Sequence, residues 1–215
     1  MKRLKKLKII YEDKDIIVID KESNKLVVGT ERNHDNTLFY EVSDYVKKQH
    51  KSNKIFIVHR LDKDTSGLII FAKSIESKTY LQENWSKFTK NYKALVHGKM
   101  EKKKDTIINY LNEDKFYNVF ITDKYHGKES ITKYETVKSN NKYSLLNINI
   151  LTGRKNQIRV ALSSINHPIV GDKKYGTIKT TKRLMLHASY LKIIHPRTKK
   201  ELEFSSNPVN FFEIK

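Results

Sequence analysis

The sequence predicts an α+β protein with a mixed, mostly antiparallel sheet flanked by helices and loops. β-branched and aromatic runs recur along the chain, and three other stretches repeat apolar residues at helical spacing. The two kinds of segment do not alternate strictly, as a doubly wound parallel sheet would require.

In chain order, Leu7 to Tyr11 and Ile16 to Ile19 read as short strands. Leu38 to Val46 reads as a helix because Leu38, Val42 and Val46 stand four apart and share one face. Ile55 to Val58 and Leu68 to Ala72 are strands enclosing a polar stretch, and Ile75 to Phe88 forms a second helix through Tyr80, Leu81, Trp85 and Phe88. Strands return at Tyr92 to Val96, Ile131 to Val137 and Tyr143 to Ile150. A third helix covers Asn156 to Ile165, with Ile158, Ala161, Leu162 and Ile165 on one stripe and Thr152-Gly153 as the turn before it. Leu184 to Ile194 is the last strand. No repeat or Pro/Gly/Ser linker interrupts the chain, so the simplest reading is a single domain, 1–215, with its core over about 9–212.

Composition narrows the function. Across 215 residues, 43 Lys and Arg face 24 Asp and Glu, a formal charge of +19, while 38% hydrophobic residues leave enough material for a core. A polyanion is the partner such a charge attracts most strongly, which makes nucleic acid the leading class. No cysteine is present, which excludes disulfides, thiolate metal sites and a cysteine nucleophile. The basic N-terminus lacks the apolar stretch of a signal peptide, and no apolar run reaches the roughly 20 residues of a membrane span. These features predict a soluble cytoplasmic protein. Gly-x-Gly-x-x-Gly and phosphate-loop patterns are absent, which disfavours nucleotide cofactors. Seven arginines stand among 36 lysines, at 3, 32, 60, 154, 159, 183 and 197. Each marks a position where a planar fork of donors has a use that an ammonium cannot serve.

The most unusual segment is Val58-His59-Arg60-Leu61-Asp62-Lys63-Asp64-Thr65-Ser66-Gly67, a charged loop between two apolar strands. A scaffold of that kind fixes carboxylates in place, as catalysis requires. Turn chemistry accounts for Asp64, Ser66 and Gly67, with Gly67 supplying a positive φ. It does not account for Arg60 or Asp62, and spacing alone does not say which carboxylate is functional.

His59 to Gly67 resembles the signature loop of the RluA-type pseudouridine synthases. Asn91-Tyr92-Lys93-Ala94-Leu95-Val96-His97-Gly98 resembles the family's Tyr-x-Ala-x-Val-x-Gly strand, and Thr152-Gly153-Arg154-Lys155-Asn156-Gln157-Ile158-Arg159-Val160 its Thr-Gly-Arg-x-His-Gln-Ile-Arg-Val segment. His167 to Asp172, Tyr175-Gly176, Arg183 to Ala188 and His195-Pro196 continue the pattern in order. The resemblance implies the pseudouridine synthase catalytic fold and isomerisation of uridines in structured RNA, ribosomal in preference to transfer RNA, with no metal or organic cofactor. It implies that Asp62 is the catalytic carboxylate, that Tyr92 packs on the target base, that Arg159 pairs with Asp62, and that Arg60 enters the stack vacated by the flipped nucleotide. Leu186 and Ile158 are the apolar pocket candidates. The family's optional N-terminal RNA-binding domain has no room ahead of Ile9, and a monomer without an obligatory protein partner is expected. Asn156 and Ala161 depart from the family's histidines. The alternative they raise is a catalytically inactive RNA-binding or ribosome-associated protein on the same fold.

Overall fold

A computed structural model describes residues 7–29, 35–176 and 183–207; Arg3, Arg32 and the expected end of the core near residue 212 lie outside them. In chain order the elements are β1 (Ile9–Glu12), β2 (Ile16–Lys21), α1 (Leu38–Gln49), β3 (Phe56–Ile57), β4 (Ser66–Ala72), α2 (Ile75–Glu83), β5 (Thr89–His97), β6 (Lys104–Glu113), β7 (Val119–Thr122), β8 (Lys128–Ser139), β9 (Tyr143–Ile150), α3 (Gln157–Ser164), β10 (Leu186–Ile194) and β11 (Glu201–Ser205). Backbone contacts group them into two compact units, one holding residues up to Phe88 together with Ala188–Asn207, the other Thr89–His187.

In the first unit the strands run β1-β2-β4-β10, with β11 on β10 and β3 on β4. β2 and β4 pair antiparallel with Ile17 opposite Phe71, Ile19 opposite Ile69 and Lys21 opposite Gly67. Every residue of β4 is buried. The alternating side chains explain why: Leu68 and Ile70 join Ile16, Val18, Leu81 and Phe88 in one apolar cluster, while Phe71 meets Phe39 of α1, with ring centroids 6.4 Å apart. The hydroxyl oxygen of Thr37 caps α1 by accepting from the Tyr40 N–H at 3.2 Å, and Leu38, Val42 and Val46 form its buried face, as their spacing predicts.

The expected second helix is shorter. α2 stops at Glu83, where Asn84 caps it and its side-chain amide bonds the Tyr80 carbonyl at 2.9 Å. Trp85–Lys87 continues only as a 3-10 turn.

In the second unit the strand order is β5-β9-β8-β6-β7, all antiparallel neighbours. Tyr92 stands opposite Ile148 and Ala94 opposite Leu146. α3 packs on β6, β7 and β8, and its Ile158, Ala161 and Leu162 enter a cluster with Ala94, Val96 and Leu146. Three strands, β6, β7 and β11, were not predicted from sequence. In β11 (Glu-Leu-Glu-Phe-Ser) the charged positions face water and only Phe204 is buried, so the apolar signal is thin. Leu184 and Met185, read as strand, precede β10 instead. Met185 bridges two segments, accepting from the Leu95 N–H at 3.1 Å and donating to the Val170 carbonyl at 2.9 Å.

Candidate active site

The loop carrying Asp62 is fixed along its length by bonds within the first unit. The His59 ring stacks on Trp85 at 4.2 Å, and its Nε2 accepts from the Ile70 N–H at 3.2 Å, which requires that nitrogen to be unprotonated. The Gln82 amide holds the carbonyls of Ile57 and Val58 at 3.1 and 3.2 Å. Beyond Asp62, the anchor is Lys21, a lysine only 1% exposed. Its ammonium donates to the carbonyls of Glu22, Lys25 and Lys63 at 3.0, 2.8 and 2.9 Å, replacing with three acceptors the water it has lost. The Lys25 N–H also bonds the Lys63 carbonyl, and the Ser23 hydroxyl bonds that of Asp64 at 2.7 Å. A turn at residues 21–25 thus clamps both residues that follow the carboxylate. Asp62 itself is half-buried and Arg60 is exposed.

The loop ends at Gly67, and here glycine is obligatory. Its φ is +111°, and a Cβ there would lie 2.2 Å from the backbone oxygen of Ala188.

In the second unit the structure brings Tyr92, Ile158 and Leu186 into contact with one apolar cluster; Ile158 and Leu186 are buried and Tyr92 is partly exposed. Arg159, next along α3, is 7% exposed. The family resemblance implies a pairing with Asp62, which belongs to the first unit. Within the second unit the Arg159 fork closes on Asp172, Nε to Oδ2 at 2.8 Å and Nη2 to Oδ1 at 2.7 Å. Burial pushes the Asp172 carboxyl up, but the Arg159 bonds and charge, with the N–H groups of Tyr175 and Lys174, outweigh it and hold the group below the usual carboxylate range.

Asn156 belongs to the same network. It precedes α3 in the left-handed region at φ 53°, a conformation asparagine tolerates well. Its Oδ1 accepts from Arg159 Nη1 at 3.3 Å, and its Nδ2 donates to the Tyr175 hydroxyl at 3.0 Å. The Arg159 guanidinium lies 5.2 Å from the Tyr175 ring centroid. Asp172 and Tyr175 received no role from sequence. The signal that could have found them was the buried arginine, which demands a carboxylate from somewhere in the fold.

Among the described residues, Asp13, Asp15 and His195 group closely enough to suggest a metal site. Their donor atoms are already engaged. His195 Nδ1 accepts from the N–H of Thr198 at 3.0 Å, and its Nε2 meets Asp13 Oδ2 at 2.9 Å. Asp13 also accepts from Asp15, Ile16 and Tyr11, and Asp15 from Arg197. The cluster joins the β1–β2 turn to the β10–β11 turn.

A family model described as RNA pseudouridylate synthase matches residues 15–164, which hold Asp62, Tyr92 and Arg159. The chain belongs to this family. A ribosomal large subunit pseudouridine synthase D of Blochmanniella floridana is 33% identical over 93% of the chain and 68% of its own length. An uncharacterized RNA pseudouridine synthase of Mycoplasma genitalium is 35% identical over 93% of the chain and 66% of its own length. The chain thus spans about two thirds of each of these relatives. The solved structure of human RNA pseudouridylate synthase domain containing 4 superposes with a TM-score of 0.80 over 95% of this chain and 90% of that one, at 22% identity, which shows the shared fold. The RluA-type resemblance and the α+β pseudouridine synthase fold both hold. Membership supports an RNA pseudouridine synthase function, that of an isomerase acting on RNA. No helix among the described residues is long and apolar enough to cross a membrane.

Proposed function

We propose that the chain isomerises specific uridines in structured RNA, ribosomal in preference to transfer RNA, with Asp62 as the reacting carboxylate. The preference for ribosomal RNA follows the name borne by the Blochmanniella relative and others. What supports the assignment of Asp62 is its setting, a half-buried carboxylate in the loop that carries the family resemblance, next to the Lys63 carbonyl held by the buried Lys21 ammonium.

The reaction breaks the N1–C1′ bond of uridine, retains and turns the uracil, and joins C5 to C1′, with no atom gained or lost. An ionised carboxylate can attack the electron-poor sugar carbon or take a sugar proton, and at neutral pH an ordinary aspartate is already ionised. Tyr92 presents an aromatic face to the uracil while its other side packs on the apolar cluster that includes Leu186 and Ile158. Excluding water there prevents hydroxide from capturing the freed sugar carbon. Arg159, oriented by Asp172 and Asn156, supplies a fixed positive charge to the anionic reaction centre. Arg60, exposed on the same loop as Asp62, fills the stack left by the extruded base, offsetting part of an unstacking cost of a few kcal/mol. The protein acts as a cytoplasmic monomer without an obligatory protein partner.

Asn156 and Ala161 motivate the binding-only alternative. The bonds of Asn156 to Arg159 and Tyr175 give it a supporting role of its own, and Ala161 is buried in the apolar cluster under α3, so neither residue favours that reading. The test is to map pseudouridine in RNA from a host strain lacking the gene after incubation with purified protein. Wild type is expected to restore discrete sites and Asp62→Asn none, with RNA affinity retained. An inert wild type that still binds RNA would favour the alternative.

A further inference from the structure

The β6–β7 hairpin ends in a tip, Asp114-Lys115-Phe116-Tyr117-Asn118, that no catalytic role explains. It is tightly built. The Tyr117 N–H bonds the Asp114 carbonyl at 3.0 Å, and the Asp114 N–H bonds that of Asn118 at 2.9 Å. The Asp114 carboxylate accepts from the N–H groups of Phe116 and Asn118 and from the Asn118 amide. This turn nevertheless presents two large aromatic side chains to water, Phe116 at 71% exposure and Tyr117 at 72%.

Tyr117 also has a φ of 64°. Hairpin loops of this kind usually place glycine at the left-handed position, and a bulky residue there is strained. The tyrosine is held in that conformation by two cations: Lys155 and Lys174 donate to its carbonyl at 3.2 and 3.3 Å. The Lys155 ammonium stands 5.1 Å from the Tyr117 ring centroid, and that of Lys115 5.2 Å from the Phe116 centroid. The acids nearby are occupied, Asp114 within the turn and Glu113 by Lys155.

We infer that this tip is an RNA-docking surface separate from the catalytic groups, on which Phe116 and Tyr117 stack against unpaired bases while Lys115, Lys155 and Lys174 meet the adjoining phosphates. Flat aromatic faces set beside cations, with the neighbouring Asp114 and Glu113 already engaged, complement a single-stranded polyanion; a duplex hides its base faces and would meet only the lysines. Lys174 connects the surface to the site already described, because Tyr175 beside it bonds Asn156 and lies under Arg159. The inference rests on RNA being the substrate.

The test compares full-length wild type, Phe116→Ala and Tyr117→Gly for binding to a labelled stem–loop RNA and to a blunt duplex of equal length, alongside kcat and KM on the stem–loop. Each variant is expected to raise the stem–loop Kd and KM by about 5- to 100-fold. The duplex Kd and kcat should stay within about twofold of wild type. Tyr117→Gly removes backbone strain, so its melting temperature is expected not to fall, which separates lost stacking from lost structure. Unchanged stem–loop affinity in the folded variants would overturn the inference and leave the tip to a protein partner, and equal losses on both probes would overturn it as well. Binding reads out even if wild type fails to turn over, so failure of the catalytic reading is distinguishable from failure of this one.

Discussion

Arg159 and Asp172 form a buried two-pronged ion pair, Nε to Oδ2 at 2.8 Å and Nη2 to Oδ1 at 2.7 Å, between α3 and the turn that follows it. Removing the carboxylate takes both prongs of the pair from a guanidinium that has little access to water. Asp172→Ala is therefore expected to lower unfolding free energy by about 3–5 kcal/mol in urea denaturation. Arg159→Lys retains charge but cannot reproduce the fork, and it should lose at least tenfold more kcat than Arg197→Lys, where the arginine is exposed. Equal losses would remove the case for guanidinium geometry.

Because the Asp172 carboxyl lies below its ordinary value of 3.8 in the folded state, its contribution has a defined pH window. The stabilisation is fully present above the unfolded pKa and is lost as pH falls through the folded one. Urea midpoints for wild type and Asp172→Asn should differ by a constant amount between pH 5 and 7, and the difference should shrink below about pH 4. A difference that grows on acidification would contradict the assignment.

Lys21→Met removes the ammonium and leaves three carbonyls facing a thioether. A carbonyl left buried without a donor costs about 1–3 kcal/mol, while that of Lys63 keeps the Lys25 N–H. A fall in melting temperature is expected, together with a drop in kcat at temperatures where the variant remains folded. RNA affinity should change little.

Gly67→Ala places a methyl 2.2 Å from the Ala188 carbonyl oxygen at a φ of +111°, and neither backbone can give way cheaply. Loss of soluble protein, or destabilisation above about 4 kcal/mol, is expected. A variant within 1 kcal/mol of wild type would contradict the close approach described here.

The three helices and most strands were legible because their apolar residues repeat at the right period, as Leu38, Val42 and Val46 do on α1. The helical pattern through Trp85 and Phe88 misled because a capping asparagine intervenes: Asn84 ends α2 while the aromatic residues remain in contact with the core. β6 and β7 escaped notice because they form an outer hairpin whose Ile108, Phe120 and Ile121 are exposed, blurring the alternation. The carboxylate-bearing loop was visible from its composition. The Asp172 partnership was not, since it joins a helix to a turn 13 residues away and no spacing rule connects them. Asn156 looked like a lost histidine until its left-handed backbone and its two side-chain bonds gave it a purpose.

The most direct measurement is the rate of tritium release from RNA labelled at uracil C5, compared among wild type, Asp62→Asn and Asp64→Asn. These two aspartates share one loop and differ in assigned role. Asp62→Asn is expected to fall by at least about a thousandfold, while Asp64→Asn stays within about tenfold of wild type. Substantial release by Asp62→Asn, or equal collapse of both variants with their folds intact, would contradict the assignment of the reaction to Asp62.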